Sequence, residues 1–165
     1  MTVQVAGDGL VLRAWEPGDA PAMVDLFDDP EVAYWTPLKS PFDLAVAIEY
    51  VENARGAGDK LQLAITTDGA TPLGEVMLNL KTSTLGYAIG PAHRGQRLGA
   101  RALKLLTTYA HETAGLPRVI LEIEPDNAAS SAVARAAGYH LTDLPPEQVV
   151  DKDRELTLLT WEHLA

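Results

Sequence analysis

Within Gly86–Leu103 a short strand, a turn rich in glycine and arginine, and the start of an amphipathic helix follow one another. That succession constrains the fold more than any other feature of the chain. A strand feeding a helix through a tight loop gathers the helix's unpaired N–H groups, and the positive end of its dipole, at the end of the strand. Such a spot is a ready anion site. Gly95 and Gly99 let backbone approach a ligand closely, and Arg94, Arg97 and Arg101 add charge-assisted donors. The chemistry asks for a phosphate or diphosphate. The plainer alternative is a capping glycine before a solvent-facing basic helix.

Charge distribution points to the same segment. Residues 1–75 hold thirteen acids and four bases, and residues 112–165 hold ten acids and four bases. Between them, Val76–His111 has no acid and five bases: Lys81, Arg94, Arg97, Arg101 and Lys104. A net charge of −10 argues against nucleic acid as a partner and leaves one basic island for an anion. The acidic remainder favours a cationic partner through its field. The chain has no cysteine, which excludes disulfides, thiolate metal sites and cysteine nucleophiles. Its longest run without a charged residue is Thr82–His93, too short and too broken by Gly and Pro to span a bilayer. No basic segment followed by an apolar run marks the N-terminus, so no membrane and a cytoplasmic location are expected. The 165 residues suit a single domain, 1–165.

Hydrophobic periodicity supplies the frame. Leu10–Arg13, Leu61–Thr66, Pro72–Leu80, Leu85–Ile89, Arg118–Ile123 and Glu155–Trp161 read as strands, with Tyr139–Leu141 a short one. Asp68-Gly69 marks a hairpin turn. Helical spacing predicts helices over Ala20–Phe27, Phe42–Arg55, Leu98–Ala110 and Ser130–Ala137. Glu31–Pro41 reads as a loop or a short turn of helix, and Leu144–Asp153 as a polar loop with two prolines. Hairpins early and crossovers late predict an α/β (α+β) domain with a mixed, mostly antiparallel central sheet of about six or seven strands and about four helices.

Other phosphate loops fail on their residues. Gly90 and Gly95 have P-loop spacing, but Gln96-Arg97 stands where Lys and Ser or Thr are required. No G-x-G-x-x-G run exists, which removes the dinucleotide fingerprint. The run Gly86-Tyr-Ala-Ile-Gly-Pro-Ala-His-Arg-Gly-Gln-Arg-Leu-Gly-Ala100 instead resembles motif A of the GNAT superfamily of N-acetyltransferases. Arg94, Gly99 and Ala100 fit that motif, while Arg97 stands at its first glycine. Downstream, Glu124-Pro-Asp-Asn-Ala-Ala-Ser130 with Gly138-Tyr139 resembles the family's late strand-to-helix segment. Many members place a proton-donating Tyr seven residues after the Asn, where this chain has Ala134. The Rim-type ribosomal-protein N-terminal acetyltransferases carry a Ser three residues after it, here Ser130. Asp29-Pro-Glu-Val, before Tyr34 and Trp35, also resembles that subfamily. The resemblance covers Leu10–Trp161.

The resemblance implies acetyl-CoA as cosubstrate, no metal, and direct attack of an amine on the thioester in a ternary complex. It implies two neighbouring strands, Leu85–Ile89 and Arg118–Ile123, splayed to form the acetyl-CoA cleft. The cofactor would lie along Tyr87, Ala88 and Ile89, the loop Arg94, Gly95, Gln96, Arg97, Leu98, Gly99 and Ala100, and Asn127 and Ser130. A backbone N–H near Ala88 or Ile89 would polarise the thioester oxygen. Asn127 would hold the pantetheine arm, or simply cap a helix. Ser130 would donate to the departing sulfur, or be an ordinary first-turn serine. Tyr34 and Trp35 would line the acceptor pocket, or be core aromatics.

An acceptor amine must lose a proton, and a peptide α-amine gives it up more readily than lysine does. The strand carboxylates available as base are Glu75 and Glu122, either of which could equally be a solvated strand residue. His93 should face solvent or phosphate, and His111 suits a helix C-terminus. The expected activity is transfer of acetyl to a primary amine, with a peptide or protein N-terminus favoured. A small polyamine or aminoglycoside-like amine is the rival acceptor, and a non-catalytic CoA-binding regulatory module the rival class. The chain would act as a monomer or homodimer.

Overall fold

The computed structural model describes residues 3–165. Its first two strands, β1 (Gln4–Gly7) and β2 (Leu10–Ala14), form a hairpin turned by Asp8 and Gly9 at φ 50° and 75°. Two left-handed residues match the twist that a two-residue hairpin needs. A helix α1 (Ala20–Phe27) follows, then α2 (Pro30–Trp35) and α3 (Leu44–Gly56). Asp29 caps α2 by accepting from the N–H groups of Glu31 and Val32, with Pro30 at its first position.

Strands β3 (Lys60–Thr66), β4 (Gly74–Asn79) and β5 (Thr84–Ile89) run as an antiparallel meander beside β2. Helix α4 (Leu98–Glu112) crosses to β6 (Arg118–Ile123), and α5 (Ala128–Ala136) leads to β7 (His140–Leu141). A final hairpin joins β8 (Glu147–Asp151) to β9 (Arg154–Leu164). The sheet order is β1-β2-β3-β4-β5-β6-β9-β7, with β8 on β9, and every pairing but β5–β6 is antiparallel. The described residues thus hold nine strands and five α-helices, against the six or seven and four expected.

The surplus has a physical cause. β9 is eleven residues long and overhangs its neighbours, so β8 pairs with the overhang through a turn at Lys152 and Asp153, both left-handed. The segment expected to be a polar loop is therefore a strand held by backbone bonds, with Val150 exposed. β1 is likewise only four residues long and buries no side chain fully.

One apolar layer packs beneath α4 and α5 and includes Leu12, Leu78, Leu103, Leu106 and Trp161. The other packs beneath α1 and α3 and includes Trp15, Phe27, Phe42, Val51 and Ala64. Ala134 is fully buried in the first layer. Among the described residues no helix is long and apolar enough to cross a membrane.

Candidate active site

The sheet opens between β5 and β6. Their parallel ladder is confined to Thr84 opposite Ile120, where the Ile120 N–H donates to the Ser83 carbonyl at 2.8 Å. Beyond that contact the strands part. Backbone groups of a strand point alternately to its two neighbours. Ser83 faces β6, and the Gly90 N–H donates to Leu73 on the β4 side at 3.0 Å. The N–H groups of Tyr87 and Ile89 therefore point into the gap, while that of Ala88 belongs to the ladder opposite Glu75. Of the two amides expected to polarise a thioester, the Ile89 N–H is the free one.

At the carboxyl end of β5 a one-turn 3₁₀ helix, Pro91–His93, enters the basic loop. Gly95 sits at φ +88°, and Arg97 takes the left-handed region at φ 57° and ψ 27° as the residue preceding α4. Arg97 thus accepts the conformation that a glycine would hold. The N–H groups of Gln96 to Ala100 find no backbone or side-chain acceptor in the described chain; the first bond inward is Arg101 N–H to Arg97 O at 3.0 Å. This is an open amide cup at a helix N-terminus. A cavity of about 420 Å³ lies over it, lined by Arg94, Gly95, Arg97, Leu98, Gly99 and Ala100 from the loop and by Asn127 and Ser130 from the opposite side. His93 borders it as well. Those residues fit a diphosphate-bearing ligand: the donors are backbone amides and two guanidinium groups, and the first turn of α4 carries no acid.

Three of the loop's side chains have partners within the chain or lie off the cavity. Arg94 is paired with Glu31 of α2 at 2.5 Å, and both stand half exposed at the cavity edge. Arg101 points away and donates to the Asp8 carbonyl at 2.7 Å, holding the β1–β2 turn. Gln96 does not line the cavity; its carbonyl receives a long bond from Arg101 at 3.4 Å.

Across the gap, Asn127 caps α5 by accepting from the Ser130 N–H at 3.1 Å. The capping role is therefore met, and Asn127 borders the cavity. Ser130 Oγ receives a hydrogen bond from the Tyr87 hydroxyl at 3.1 Å. Tyr87 in turn lies flat on α4, and a Cβ at Gly99 would come within 3.1 Å of its ring. Burial holds the Tyr87 phenol above its ordinary range, against the lowering effect of Ser130.

A second cavity, of about 490 Å³, opens on the α3 face of the sheet. Trp35, Thr36, Tyr87, Ala88, Asn127 and Ser130 border both cavities, so the two meet through the gap. Of the two aromatics expected at an acceptor pocket, Trp35 lines this cavity. Tyr34 does not: its ring is half exposed and lies under the Arg154 guanidinium at 3.9 Å. Arg154 also donates to the Tyr34 carbonyl at 2.6 Å and to Glu124 at 2.8 Å, and Lys152 donates to the Ala33 and Thr36 carbonyls. The β8–β9 hairpin thereby clamps the end of α2 that shapes this cavity.

Glu75 and Glu122 both border the second cavity, in different states. Glu75 is buried, contrary to a solvated strand residue. One of its oxygens accepts from Tyr50 at 2.6 Å and the other from Trp15 Nε1 at 2.8 Å. Burial pushes its pKa up to about 7 despite those two donors. Glu122 is exposed, as β6 alternation requires, and is pushed up to about 7 by partial burial and then by the neighbouring Glu147 carboxyl. His111 lies far from this chemistry, bonded to the Leu116 carbonyl at 2.7 Å and to His163 at 2.9 Å.

Four residues at the site escaped the sequence reading: Glu31, Tyr50, Trp15 and Arg154. Tyr50 stands on α3, and its partner Glu75 is 25 residues away on β4.

Fold and site together give two cavities that meet through an opening in one sheet, one of them lined by an amide-rich basic loop. The family model for the acetyltransferase (GNAT) domain matches residues 9–140, four-fifths of the chain, and the chain belongs to that family. Among curated proteins it is similar to the Probable N-acetyltransferase YjcK of Bacillus subtilis (strain 168), 33% identical over 61 residues. That match spans 37% of this chain and 34% of the relative, so it covers about a third of that protein's length. Among solved structures, RimJ of Mycobacterium smegmatis in complex with CoA-disulfide superposes with a TM-score of 0.83 at 18% identity, covering 99% of this chain and 87% of the other. Spermidine N-acetyltransferase from Vibrio cholerae, in complex with CoA and spermine, gives 0.78 at 16% identity over 96% of each.

Proposed function

We propose that this protein moves an acetyl group from acetyl-CoA to a primary amine by direct attack, with a peptide or protein N-terminal α-amine as the favoured acceptor. The observation that carries the reading is the meeting of the two cavities at Tyr87, Ala88, Asn127 and Ser130. A donor bound by the α4 loop and an amine bound on the α3 face would face each other there, and no protein nucleophile is needed. Orientation of that kind is worth about 7–11 kcal/mol of the barrier.

The roles follow from the residues. The open amides from Gln96 to Ala100, with Arg97 and Arg94, would hold the diphosphate. Asn127 would hold the pantetheine arm with its free amide side. The Ile89 N–H would receive the thioester oxygen. Ser130, whose oxygen already accepts from Tyr87, keeps its own proton free for the departing sulfur. Acetyl-CoA supplies the activated acyl group. Neutral pH suits an α-amine, whose pKa of about 7.7–8.0 lies close to that of Glu75.

A small polyamine or aminoglycoside-like acceptor is the second reading. The second cavity is bordered by Glu75, Glu122, Glu124 and Asp151 and by no basic side chain, and the spermidine enzyme supports that chemistry. Thiol release with a panel of N-terminal peptides, polyamines and aminoglycosides separates the readings. Turnover fastest on peptides is expected. Acetyl-CoA binding without turnover on any amine would sink both and favour a regulatory module. A cytoplasmic location, one domain, and a monomer or homodimer go with the reading.

A further inference from the structure

Glu75 occupies a position that packing alone does not ask for. It is a carboxylate on a central strand, 6% exposed, directly opposite Ala88 in the β4–β5 register. Hydrogen-bonded pairs of that kind hold their Cα atoms about 5.5 Å apart. The Glu75 side chain therefore shares a face of the sheet with Ala88, which borders the opening, and Glu75 itself lines the cavity on that face. Both of its oxygens have donors, Tyr50 on one and Trp15 on the other. Trp15 can only donate. Tyr50 can donate to Glu75 and still accept at the same oxygen, and its side chain borders the acceptor cavity beside Glu75.

We propose that Tyr50 relays a proton from the acceptor ammonium to Glu75, with Trp15 fixing the carboxylate that receives it. This rests on the acetyl-transfer reading. The ammonium N–H donates to Tyr50 Oη; its proton moves to that oxygen as the Tyr50 proton moves to Glu75 Oε1. The neutral amine attacks the acyl carbon, a C–N bond forms and the C–S bond breaks. Of the two protons the nitrogen gives up, one rests on Glu75 until solvent takes it, and the other makes up the departing thiol. A carboxyl near neutral pKa is matched to that task. The groups that face Glu75 are Tyr50 from α3 and Trp15 after β2, and Gln62 from β3 reaches Tyr50. No charged side chain contributes to its shift; Glu122, which is also pushed up to about 7, borders the same cavity from β6.

The test is the pH profile of kcat/KM for Y50F, E75Q and E75D on the acceptor the wild-type chain turns over fastest, with acetyl-CoA affinity and melting temperature measured alongside. Y50F should lose about 100-fold at pH 6.5. The loss should shrink as pH passes the acceptor's own pKa, because the amine then arrives neutral. E75Q should match that profile and E75D should restore part of the rate. Acetyl-CoA affinity should stay within about twofold of wild type in all three. An active wild type with Y50F unimpaired, or impaired equally at every pH, overturns the relay and leaves the acetyl-transfer reading standing. A wild type inactive on every amine overturns both.

Discussion

The Tyr87 hydroxyl donates to Ser130 Oγ across the opening between β5 and β6, at 3.1 Å. Because the serine oxygen is acceptor in that bond, its own hydrogen is left to point into the cleft. β5 is thus tied to the first turn of α5 by a side-chain bond beside the opening, where the proposed leaving sulfur would stand. Ser130→Ala should lower kcat by about 100-fold with little change in acetyl-CoA affinity. Tyr87→Phe keeps the serine but leaves its proton undirected; a hydrogen bond of roughly 1 kcal/mol predicts a loss of about fivefold in kcat. Stopped thiol-release assays check both. Equal activity in the two variants and wild type would return Ser130 to an ordinary first-turn serine.

The phosphate loop carries a competitor of its own. Glu31 holds Arg94 at 2.5 Å on the rim of the donor cavity. A diphosphate must take the guanidinium from that carboxylate. Arg94→Ala should therefore weaken acetyl-CoA by only about tenfold, the low end for a charge-assisted bond. Glu31→Gln should tighten it, and more so at low salt. Titration calorimetry at two ionic strengths is the check. Gly99→Asp should abolish binding, since its Cβ meets Tyr87 and its charge sits on the amide cup.

The donor half of this site was legible in the chain because its determinants are local. Gly95, the arginines and the helix start lie within ten residues, and periodicity fixes which amides are left over. The acceptor half was not. Glu75 reads as any strand acid until Trp15 and Tyr50, sixty and twenty-five residues away, close over it. Tyr34 and Trp35 are neighbours in the chain, yet only Trp35 turns inward; the difference is set by Arg154, some 120 residues on. Strands β1 and β8 were missed for a related reason. They are held by backbone pairing at edges, and a solvated edge leaves no alternating pattern to read.

Arg154 should control the acceptor and not the donor. It stacks on Tyr34, receives no part of the α4 loop, and with Lys152 fixes the carbonyls at the end of α2. Arg154→Met removes the fork and leaves the aliphatic stem. The expected result is a severalfold rise in acceptor KM with unchanged acetyl-CoA affinity, measured by initial rates with each substrate varied. A matching rise in the acetyl-CoA constant would show that α2 serves both cavities.

Stability should bear the mark of Glu75 independently of catalysis. Its pKa is about 7 in the folded chain, against 4.5 as its ordinary value. Below pH 4.5 the group is neutral in both states. Between 4.5 and 7 the folded chain keeps a proton that the unfolded chain has lost, so the stability that this group contributes at low pH falls as pH rises. Above 7 both states are ionised and the loss is complete. At about 1.4 kcal/mol per unit the window amounts to roughly 3 kcal/mol. Glu75→Gln cannot ionise, so its urea midpoint should be flatter from pH 5 to 8, and the variant should overtake wild type at the upper end. Parallel midpoint curves for the two chains would mean that Glu75 titrates alike folded and unfolded, and that burial does not govern its charge.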